Sequence, residues 1–373
     1  MVDGSCRDDF APLQSLLESH LASGEDVGAA VAVVHDGELV VDLWGGSARP
    51  GVDWTRDTIC QVWSVTKAMA GLAFLTLVDR GEIDLDAPVA SSWPEFGAEG
   101  KDRVLVRQVL GHTSGVPGWS TPVTVTDILD LERSEALLAA EAPWYEPGSA
   151  SAYQIVCHGH LLDGIAFGAT GRRLADVLHD DVMAAVGGGF RLGVPEDELS
   201  LCADLINPPP SSIDYAALPP DHFLLRTVPN PLLTPEVCNG TEWRRGAVGG
   251  AGGHGTARGI ALAQSAVSHG GLVGGTRLLS EETVARIHEP QAEGPDLLLM
   301  LPLRFGIGYG LSSPSAPAIP EGAAWWTGYG GAIVVNDPTR RTTVAYVPNK
   351  LADHMVSSPR TDAYVRTALE CVS

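Results

Sequence analysis

The sequence predicts an α+β fold, in which helices flank an antiparallel sheet built from both ends of the chain. One helical pattern and two adjacent strand patterns lie near the start, and three strand patterns and a helical pattern lie near the end. The region between them is rich in proline and loop-forming residues and carries helical patches. We therefore predict a sheet domain formed by residues 1–90 and 241–373, with a mostly helical domain, residues 91–240, inserted into it.

The first elements are a helix and a hairpin. Residues 8–22 repeat apolar side chains at helical spacing, behind acidic residues that favour a helix start. The next two runs, Val27–His35 and Glu38–Trp44, are rich in β-branched residues, and Asp36-Gly37 joins them. Because Asp-Gly readily forms the tight turn between antiparallel strands, this stretch predicts a hairpin.

The end of the chain supplies the rest of the predicted sheet. Three runs have the composition of strands, namely Phe305–Ser312, Gly331–Asn336 and Thr342–Pro348. An amphipathic helix is expected at Thr361–Cys371. The predicted helical patches of the central region include Val125–Glu141 and His158–Phe167.

The charge of the chain bears on its partners. The 373 residues include 24 basic and 46 acidic ones, which gives a formal net charge of −22. Such a charge repels nucleic-acid phosphates and anionic membrane surfaces, so neither is an expected partner. The start of the chain lacks the basic and apolar regions of a signal peptide. No apolar run reaches the length of a membrane span.

The six cysteines have neither CxxC nor metal-ligand spacing, so we expect free thiols, a cytoplasmic location and no metal site. They are Cys6, Cys60, Cys157, Cys202, Cys238 and Cys371.

The strongest chemical signal is Ser64, three residues before Lys67 at the head of the apolar stretch Ala68–Val78. On a helix, both side chains would share one face within one turn. Apolar surroundings disfavour an ammonium ion and lower the pKa of a lysine. A neutral Lys67 could then take the Ser64 proton during attack on a carbonyl. Alternatively, Ser64 is a simple helix cap and Lys67 lies in solvent.

Two further motifs bear on this pair. Tyr153 follows the turn at residues 147–152 and precedes a helical run. It could relay the Ser64 proton to a leaving group if nearby positive charge favours its phenolate, or it could be a core tyrosine. Residues 326–331 (WTGYGG) open a strand run, where glycines let a carbonyl approach the backbone. An N–H there could join the Ser64 N–H in an oxyanion hole, and a plain glycine turn is the alternative.

The order SxxK, tyrosine, then WTGYGG before a strand resembles the serine β-lactamase and penicillin-binding superfamily. Within it, the chain looks closest to the class C β-lactamase-like family VIII carboxylesterases and related transacylases. Further stretches that carry the resemblance are Arg107–Val116 (RQVLGHTSGV), Gly253–Arg258 (GHGTAR) and Phe305–Tyr309 (FGIGY). The resemblance implies a β-lactamase/transpeptidase-like sheet and an acyl-transferring serine enzyme without a cofactor.

By this resemblance, Ser64 is acylated, and Lys67 and Tyr153 share the proton transfers. The resemblance also implies that the backbone N–H groups of Ser64 and Tyr329 form the oxyanion hole. The residues expected to bind substrate are Trp63, Ile155, Trp326, Thr327 and Gly328.

Two positions depart from the β-lactamase pattern. Ile155 stands where those enzymes carry an asparagine that binds the amide side chain of the substrate. Trp326 stands where they carry a lysine that helps to hold the substrate carboxylate. Because polar groups discriminate between substrates far better than apolar walls do, we expect weak or no β-lactamase activity and a hydrophobic acyl site.

Other chemical patterns have structural interpretations. Residues 250–255 match GxGxxG, but no β-branched strand precedes them, so we expect a flexible loop beside the active site and no nucleotide. His158 and His160 are two residues apart, but no third metal ligand of suitable type follows closely. We therefore interpret them as core or surface histidines. The absence of GxSxG argues against an α/β-hydrolase.

The leading functional hypothesis is a carboxylesterase that hydrolyses small or medium acyl esters through an acyl-Ser64 intermediate. The alternative is a transacylase that moves an acyl group from an ester to an alcohol or amine of a secondary metabolite. A β-lactamase or D-aminopeptidase is less favoured, and a scaffold without chemistry is the non-enzymatic alternative. The expected partner is a small-molecule ester or amide, and the sequence leaves the oligomeric state open.

Overall fold

The computed structural model describes residues 2–211 and 213–372. In chain order, its strands are β1 (Val2–Cys6), β2 (Gly28–His35), β3 (Glu38–Arg49), β4 (Val52–Asp53), β5 (Cys60–Gln61), β6 (Phe190–Arg191), β7 (His254–Gly255), β8 (Leu272–Val273), β9 (Thr276–Arg277), β10 (Ala292–Pro295), β11 (Pro302–Phe305), β12 (Gly310–Leu311), β13 (Ala324–Thr327), β14 (Ile333–Asp337) and β15 (Thr342–Pro348).

The α-helices are α1 (Ala11–Ser23), α2 (Val65–Asp79), α3 (Val106–Leu110), α4 (Val125–Leu129), α5 (Leu131–Ala139), α6 (His158–Thr170), α7 (Leu174–Val177), α8 (Ala184–Val186), α9 (Phe223–Thr227), α10 (Pro235–Cys238), α11 (Thr241–Arg245), α12 (Ala257–Ser268), α13 (Glu281–Ile287) and α14 (Pro359–Glu370). Short 3₁₀ turns occur at Asp8–Phe10, Val89–Ser91, Pro94–Gly100, Glu196–Leu201 and Tyr215–Ala217. A π-helical turn, Leu178–Met183, joins α7 to α8.

The main sheet is antiparallel and has the strand order β1-β3-β2-β15-β14-β13-β12-β11-β10, with β4 paired to β3. Its centre is the β2–β15 pair, in which His35 lies opposite Thr342 and Ala29 lies opposite Pro348. This pair joins the two ends of the chain, so the predicted sheet is confirmed. The hairpin is also confirmed, because Asp36 and Gly37 have positive φ of 49° and 81°.

Helices cover both faces of this sheet, because alternate side chains of a strand point to opposite faces. Ala29, Val31 and Val33 of β2 belong to the apolar cluster that includes α1 and α14. Ala30, Ala32 and Val34 belong to the larger cluster that includes α2 and α12. The short runs of alanine and valine in β2 therefore serve two cores, and α2 lies in the larger one.

Between residues 91 and 240, the described chain carries α3 to α10 and the two-residue strand β6. Helices are thus the main regular elements of this region, and a separate, mostly helical domain stays a prediction. In the described residues, no helix combines the length and apolar character needed to cross a membrane.

Some predicted elements are wrong in extent. The expected strand Phe305–Ser312 is broken, because β11 ends at Phe305 and β12 begins at Gly310. Between them the chain crosses α2 at Gly71, where an added Cβ would lie 3.3 Å from the Gly308 oxygen. The expected helix Val125–Glu141 is also divided, because Asp130 leaves helical geometry and its side chain caps α5. Strand β1 has no counterpart in the prediction.

A buried charge cluster ties the two ends of the chain together. The Asp26 carboxylate accepts hydrogen bonds from the hydroxyls of Tyr346 at 2.5 Å and Tyr364 at 2.7 Å. Arg360 Nη1 lies 3.3 Å from the same carboxylate, and Nη2 donates to the Gly330 oxygen at 2.8 Å. This cluster therefore fixes the turn before β14 to the last helix.

Burial acts to raise the pKa of Asp26, but hydrogen bonds and the charge of Arg360 outweigh it, so the pKa lies below its ordinary value. A depressed carboxyl pKa stabilises the fold above the unfolded pKa of about 3.9, and this contribution is lost as the pH falls through the folded pKa.

We expect Asp26→Asn to lower the free energy of unfolding at pH 7 by about 3 kcal/mol, because Arg360 stays buried without its counter-charge. Urea denaturation measures the effect. The matched control is Asp102→Asn, which removes an exposed carboxylate paired with Arg103 at 3.9 Å and should change stability by less than about 0.5 kcal/mol. Equal effects of the two substitutions would contradict this account.

Candidate active site

Ser64 precedes α2 directly, after a backbone kink. Trp63 has a positive φ of 47°, a backbone conformation that residues other than glycine rarely adopt. Such conformations often mark functional sites. Ser64 holds the N-cap position of α2 but its side chain makes no capping hydrogen bond. Its Oγ instead lies 3.1 Å from Lys67 Nζ. The alternative interpretation, a simple cap beside a solvated lysine, is therefore wrong.

The Lys67 amine is buried and faces two backbone carbonyls. Nζ donates to the oxygens of Ile155 at 2.7 Å and Gly250 at 2.8 Å, and no carboxylate of the described chain acts on its pKa. Burial lowers the pKa of Lys67 to about 7, which agrees with the expectation from sequence. A neutral amine has two N–H groups, which match the two carbonyls, and one lone pair, which remains for the Ser64 proton.

Tyr153 completes this centre from the segment before α6. Its hydroxyl is hydrogen-bonded to the side chains of Ser64 and Trp326, and Lys67 Nζ lies 4.7 Å from its ring centre. Burial raises the pKa of Tyr153 above its ordinary value, against the effect of these hydrogen bonds. The condition for the relay, a phenolate favoured by nearby positive charge, is not met in the resting form, because burial favours the phenol. A phenol is suited to donate a proton to a leaving group.

The opposite wall is the turn that follows β13. Thr327 Oγ1 and the Gly328 N–H both donate to the Ala332 oxygen, at 3.0 and 2.7 Å. A Cβ on Gly328 would lie 2.1 Å from the Val62 oxygen, so glycine is required for this turn to approach the serine segment.

The two predicted oxyanion donors are the N–H groups of Ser64, which follows Trp63, and Tyr329, which follows Gly328 in the turn after β13. The N–H groups of Ser64 and Tyr329 donate to no backbone carbonyl within the described residues. The rings of Trp63 and Tyr329 meet edge to face, with centroids 5.6 Å apart. Both backbone donors are thus unused by other backbone groups of the described chain, and their joint role as an oxyanion hole stays a prediction.

The predicted loop at residues 250–255 lies beside this centre, but its last two residues, His254 and Gly255, form strand β7. Gly250 supplies the second carbonyl to Lys67, and the Gly253 N–H donates to Thr66 Oγ1 at 3.0 Å. A Cβ on Gly250 would lie 2.1 Å from the Val156 oxygen. Glycine at this position therefore serves close backbone packing, which accounts for the chance match to a nucleotide-binding pattern.

Two buried residues lie behind Tyr153: His112, which the sequence did not mark as a site residue, and Asp296, which sequence reasoning missed. The His112 ring lies 5.1 Å from the Tyr153 ring and 4.6 Å from the His158 ring. Burial lowers the pKa of His112 well below its ordinary value, so the imidazole is neutral. Asp296 Oδ1 accepts hydrogen bonds from the N–H groups of Tyr153 at 3.2 Å and Leu299 at 2.8 Å. His112 lies in the RQVLGHTSGV stretch, whereas no sequence pattern marks Asp296.

A cavity of about 260 Å³ opens beside Ser64. Four of the expected substrate-binding residues line it, namely Trp63, Ile155, Trp326 and Thr327, whereas Gly328 supports the wall from behind. Its other walls are mainly apolar and include Leu233, Leu299, Leu303, Phe305 and Val356. The hydrophobic site expected from Ile155 and Trp326 is therefore present in the structure.

The sequence profile of the Beta-lactamase family matches residues 13–368. The chain belongs to the Beta-lactamase family. The resemblance predicted from the three motifs is confirmed, and with it the expectation of an enzyme. The chain is 33% identical over 341 residues to the esterase/beta-lactamase LipL of Mycobacterium tuberculosis (strain ATCC 25618 / H37Rv), a match that covers 88% of this chain and 78% of that protein.

Solved structures agree with this assignment. The crystal structure of a family VIII carboxylesterase superposes with a TM-score of 0.93 at 31% identity, over 100% of both chains. A penicillin-binding protein homologue from Caulobacter crescentus superposes with a TM-score of 0.89 at 32% identity, again over 100% of both chains. The fold of the family thus extends over the whole described chain.

The lowered pKa of Lys67 can be measured directly, because the chain has only three lysines. With lysine labelled at the ε-carbon, we expect one NMR signal to titrate near pH 7. Lys67→Met should remove that signal, whereas the control Lys350→Met should leave it in place. If no lysine signal titrates below pH 9, the Lys67 amine is charged at neutral pH and the account above is wrong.

Proposed function

We propose that this protein is a serine carboxylesterase that hydrolyses small or medium acyl esters through an acyl-Ser64 intermediate. The observation that carries the proposal is the buried Lys67 amine, which lies 3.1 Å from the Ser64 hydroxyl with both of its N–H groups used by carbonyls. An amine in this setting acts as a general base, because it is neutral near pH 7 and its lone pair faces the serine.

The proposed acylation step starts when Ser64 Oγ attacks the ester carbonyl and its proton passes to Lys67. The N–H groups of Ser64 and Tyr329 hold the oxyanion of the tetrahedral intermediate. The bond to the alcohol oxygen then breaks as the Tyr153 phenol donates a proton to that oxygen. Lys67 then returns its proton to the Tyr153 phenolate. This transfer is supported by the hydrogen bond of Lys67 with Ser64 and by its position near the Tyr153 ring.

Deacylation repeats the sequence with water in place of the alcohol. Water attacks the acyl carbonyl and gives a proton to the neutral Lys67 amine. Lys67 then passes that proton to Ser64 Oγ as the bond between Oγ and the acyl carbon breaks. The balance is one ester and one water to one carboxylic acid and one alcohol. The cavity of about 260 Å³ lies just below the usual range of about 300–1,000 Å³ for sites of drug-sized ligands, which favours small or medium acyl groups.

Transfer of the acyl group to an alcohol or amine is the second candidate function. The apolar lining of the cavity favours it, because such walls limit the access of water to the acyl-enzyme. The same lining supports a neutral small-molecule ester or amide as partner.

A cytoplasmic location stays a prediction, based on the six cysteines, which form no disulfide in the described residues.

We expect p-nitrophenyl butyrate to acylate Ser64 and to turn over, and Ser64→Ala to lower the rate by at least about 1,000-fold, because Ser64 is the hydroxyl that the Lys67 base contacts. Stopped-flow release of p-nitrophenol and intact mass measure both steps. Ser15→Ala on the exposed face of α1 is the control. Steady turnover supports the esterase, and a burst that leaves a stable acyl mass supports the transacylase. Turnover that survives Ser64→Ala would overturn both.

We also expect β-lactams to be poor substrates, with kcat/KM at least about 100-fold below that of p-nitrophenyl butyrate. The reason is that Trp326 and Ile155 offer neither a cation for the substrate carboxylate nor an amide for its side chain. Nitrocefin hydrolysis measures the rate. The control is the methyl ester of the same β-lactam, which should react no worse than the free acid. A kcat/KM for nitrocefin equal to that for p-nitrophenyl butyrate would contradict this expectation.

A further inference from the structure

Tyr153 lies in a short segment that belongs to neither a helix nor a strand, so the backbone N–H groups of this segment need other partners. The residue before it, Ala152, donates its N–H to the backbone oxygen of His112 at 3.0 Å. The residue after it, Gln154, donates its N–H to His112 Nδ1 at 3.3 Å. One histidine therefore holds the chain on both sides of Tyr153.

The His112 ring also supports the phenol ring itself. The centroids of the two rings are 5.1 Å apart, and their planes stand at 60°. The same imidazole packs against Phe305 at 4.8 Å and Trp326 at 5.5 Å. His112 is fully buried, whereas the three aromatic side chains that it contacts line the cavity. His112 therefore acts on a substrate only through the residues that it supports.

The hydrogen bonds of His112 give it the role of an acceptor. Nδ1 accepts the Gln154 N–H only when the ring proton lies on Nε2 and the imidazole is neutral. The backbone of His112 is held in an uncommon conformation, with a positive φ of 60°. The Tyr145 hydroxyl donates to the His112 oxygen at 3.0 Å and helps to fix this conformation. The acceptors that hold Tyr153 are thus themselves fixed in place.

The position of the Tyr153 phenol matters most for esters of ordinary alcohols. An alkoxide is a poor leaving group, so the bond to the alcohol oxygen breaks as the phenol donates a proton to that oxygen. p-Nitrophenolate needs no such proton, because p-nitrophenol is a far stronger acid than an alkanol. A phenol displaced by about 1 Å therefore slows the cleavage of alkyl esters more than that of p-nitrophenyl esters.

We propose that His112 is a positioning residue that holds the Tyr153 phenol at the leaving-group oxygen, and that this hold enables the enzyme to cleave alkyl esters as well as activated aryl esters. This inference rests on the proposed esterase function, and it names the class of ester that depends on His112. The histidine itself exchanges no proton with the substrate.

The test compares two esters of one acid. Ethyl butyrate is followed in a pH-stat, and p-nitrophenyl butyrate is followed by release of p-nitrophenol. Both esters form the same butyryl-enzyme, so the aryl-to-alkyl ratio of kcat/KM reports the step in which the leaving group departs. His112→Phe keeps a ring and removes the Nδ1 acceptor, and we expect it to raise this ratio at least about tenfold. A general loss of structure lowers both values equally and leaves the ratio unchanged.

A double-variant cycle assigns the effect to the phenol. Tyr153→Phe removes the acid, and we expect it to raise the aryl-to-alkyl ratio at least about 100-fold. The double variant His112→Phe/Tyr153→Phe should raise the ratio no further than Tyr153→Phe alone, because both substitutions act through the same hydroxyl.

The matched control is His158→Phe. The His158 ring is also buried and lies 4.6 Å from the His112 ring, but its two nitrogens make no hydrogen bond within the described residues. We expect this substitution to leave the ratio unchanged.

Two conservative variants locate the role at Nδ1. Asparagine places an acceptor near the position of Nδ1, whereas glutamine places one near the position of Nε2. His112→Asn should therefore raise the ratio less than His112→Gln does. If His112→Phe does not fold, these two variants decide the proposal, and a ratio no higher in His112→Gln than in His112→Asn overturns it.

Other outcomes separate this proposal from the esterase function. An unchanged ratio in His112→Phe overturns the role of His112, and so does an equal rise in His158→Phe or a further rise in the double variant. A wild-type ratio in Tyr153→Phe removes the acid role of Tyr153 and this proposal with it. If Ser64→Ala retains turnover of p-nitrophenyl butyrate, the proposed function itself fails.

Discussion

A buried lysine amine sets the geometry of this centre, and it has no acidic partner within the described part of the chain. Lys67 Nζ needs hydrogen-bond acceptors, and it finds them in the carbonyls of Ile155 and Gly250, which lie in segments far apart in sequence. Those segments must therefore meet closely. A Cβ on Gly159 would lie 2.1 Å from the Gly249 carbonyl carbon, so α6 packs directly against the glycine-rich loop. The requirement of one amine thus explains the close backbone packing around it.

The same burial links stability to pH. Lys67 has a pKa of about 7 in the folded protein and an ordinary value of about 10.4 when unfolded. The unfolded chain therefore binds this proton more tightly, and the contribution of Lys67 to stability rises with pH between these two values. Below pH 7 both states are protonated, and the fold contains a buried ammonium ion. The burial that makes Lys67 a base therefore lowers the stability of the fold at low pH.

Features set by near neighbours could be predicted from the sequence, whereas features set by distant contacts could not. The Ser64–Lys67 pair follows from helical spacing. The Asp36-Gly37 turn follows from residue types that readily adopt positive φ, as both do in the structure. The predicted strand from Phe305 failed because α2, distant in sequence, forces the chain aside at Gly308. Asp296 and the phenol form of Tyr153 were missed for the same reason: burial by remote segments decides both.

The centre is assembled from parts that the ribosome makes at very different times. Ser64 and Lys67 emerge early, whereas the Gly250 carbonyl and the Tyr329 N–H come much later, and Arg360 of α14 fixes the Gly330 turn last. A nascent chain therefore carries the nucleophile without its base geometry or its oxyanion donors. Translation fragments that stop before α14 therefore lack the Arg360 hydrogen bond that holds the turn at Gly330.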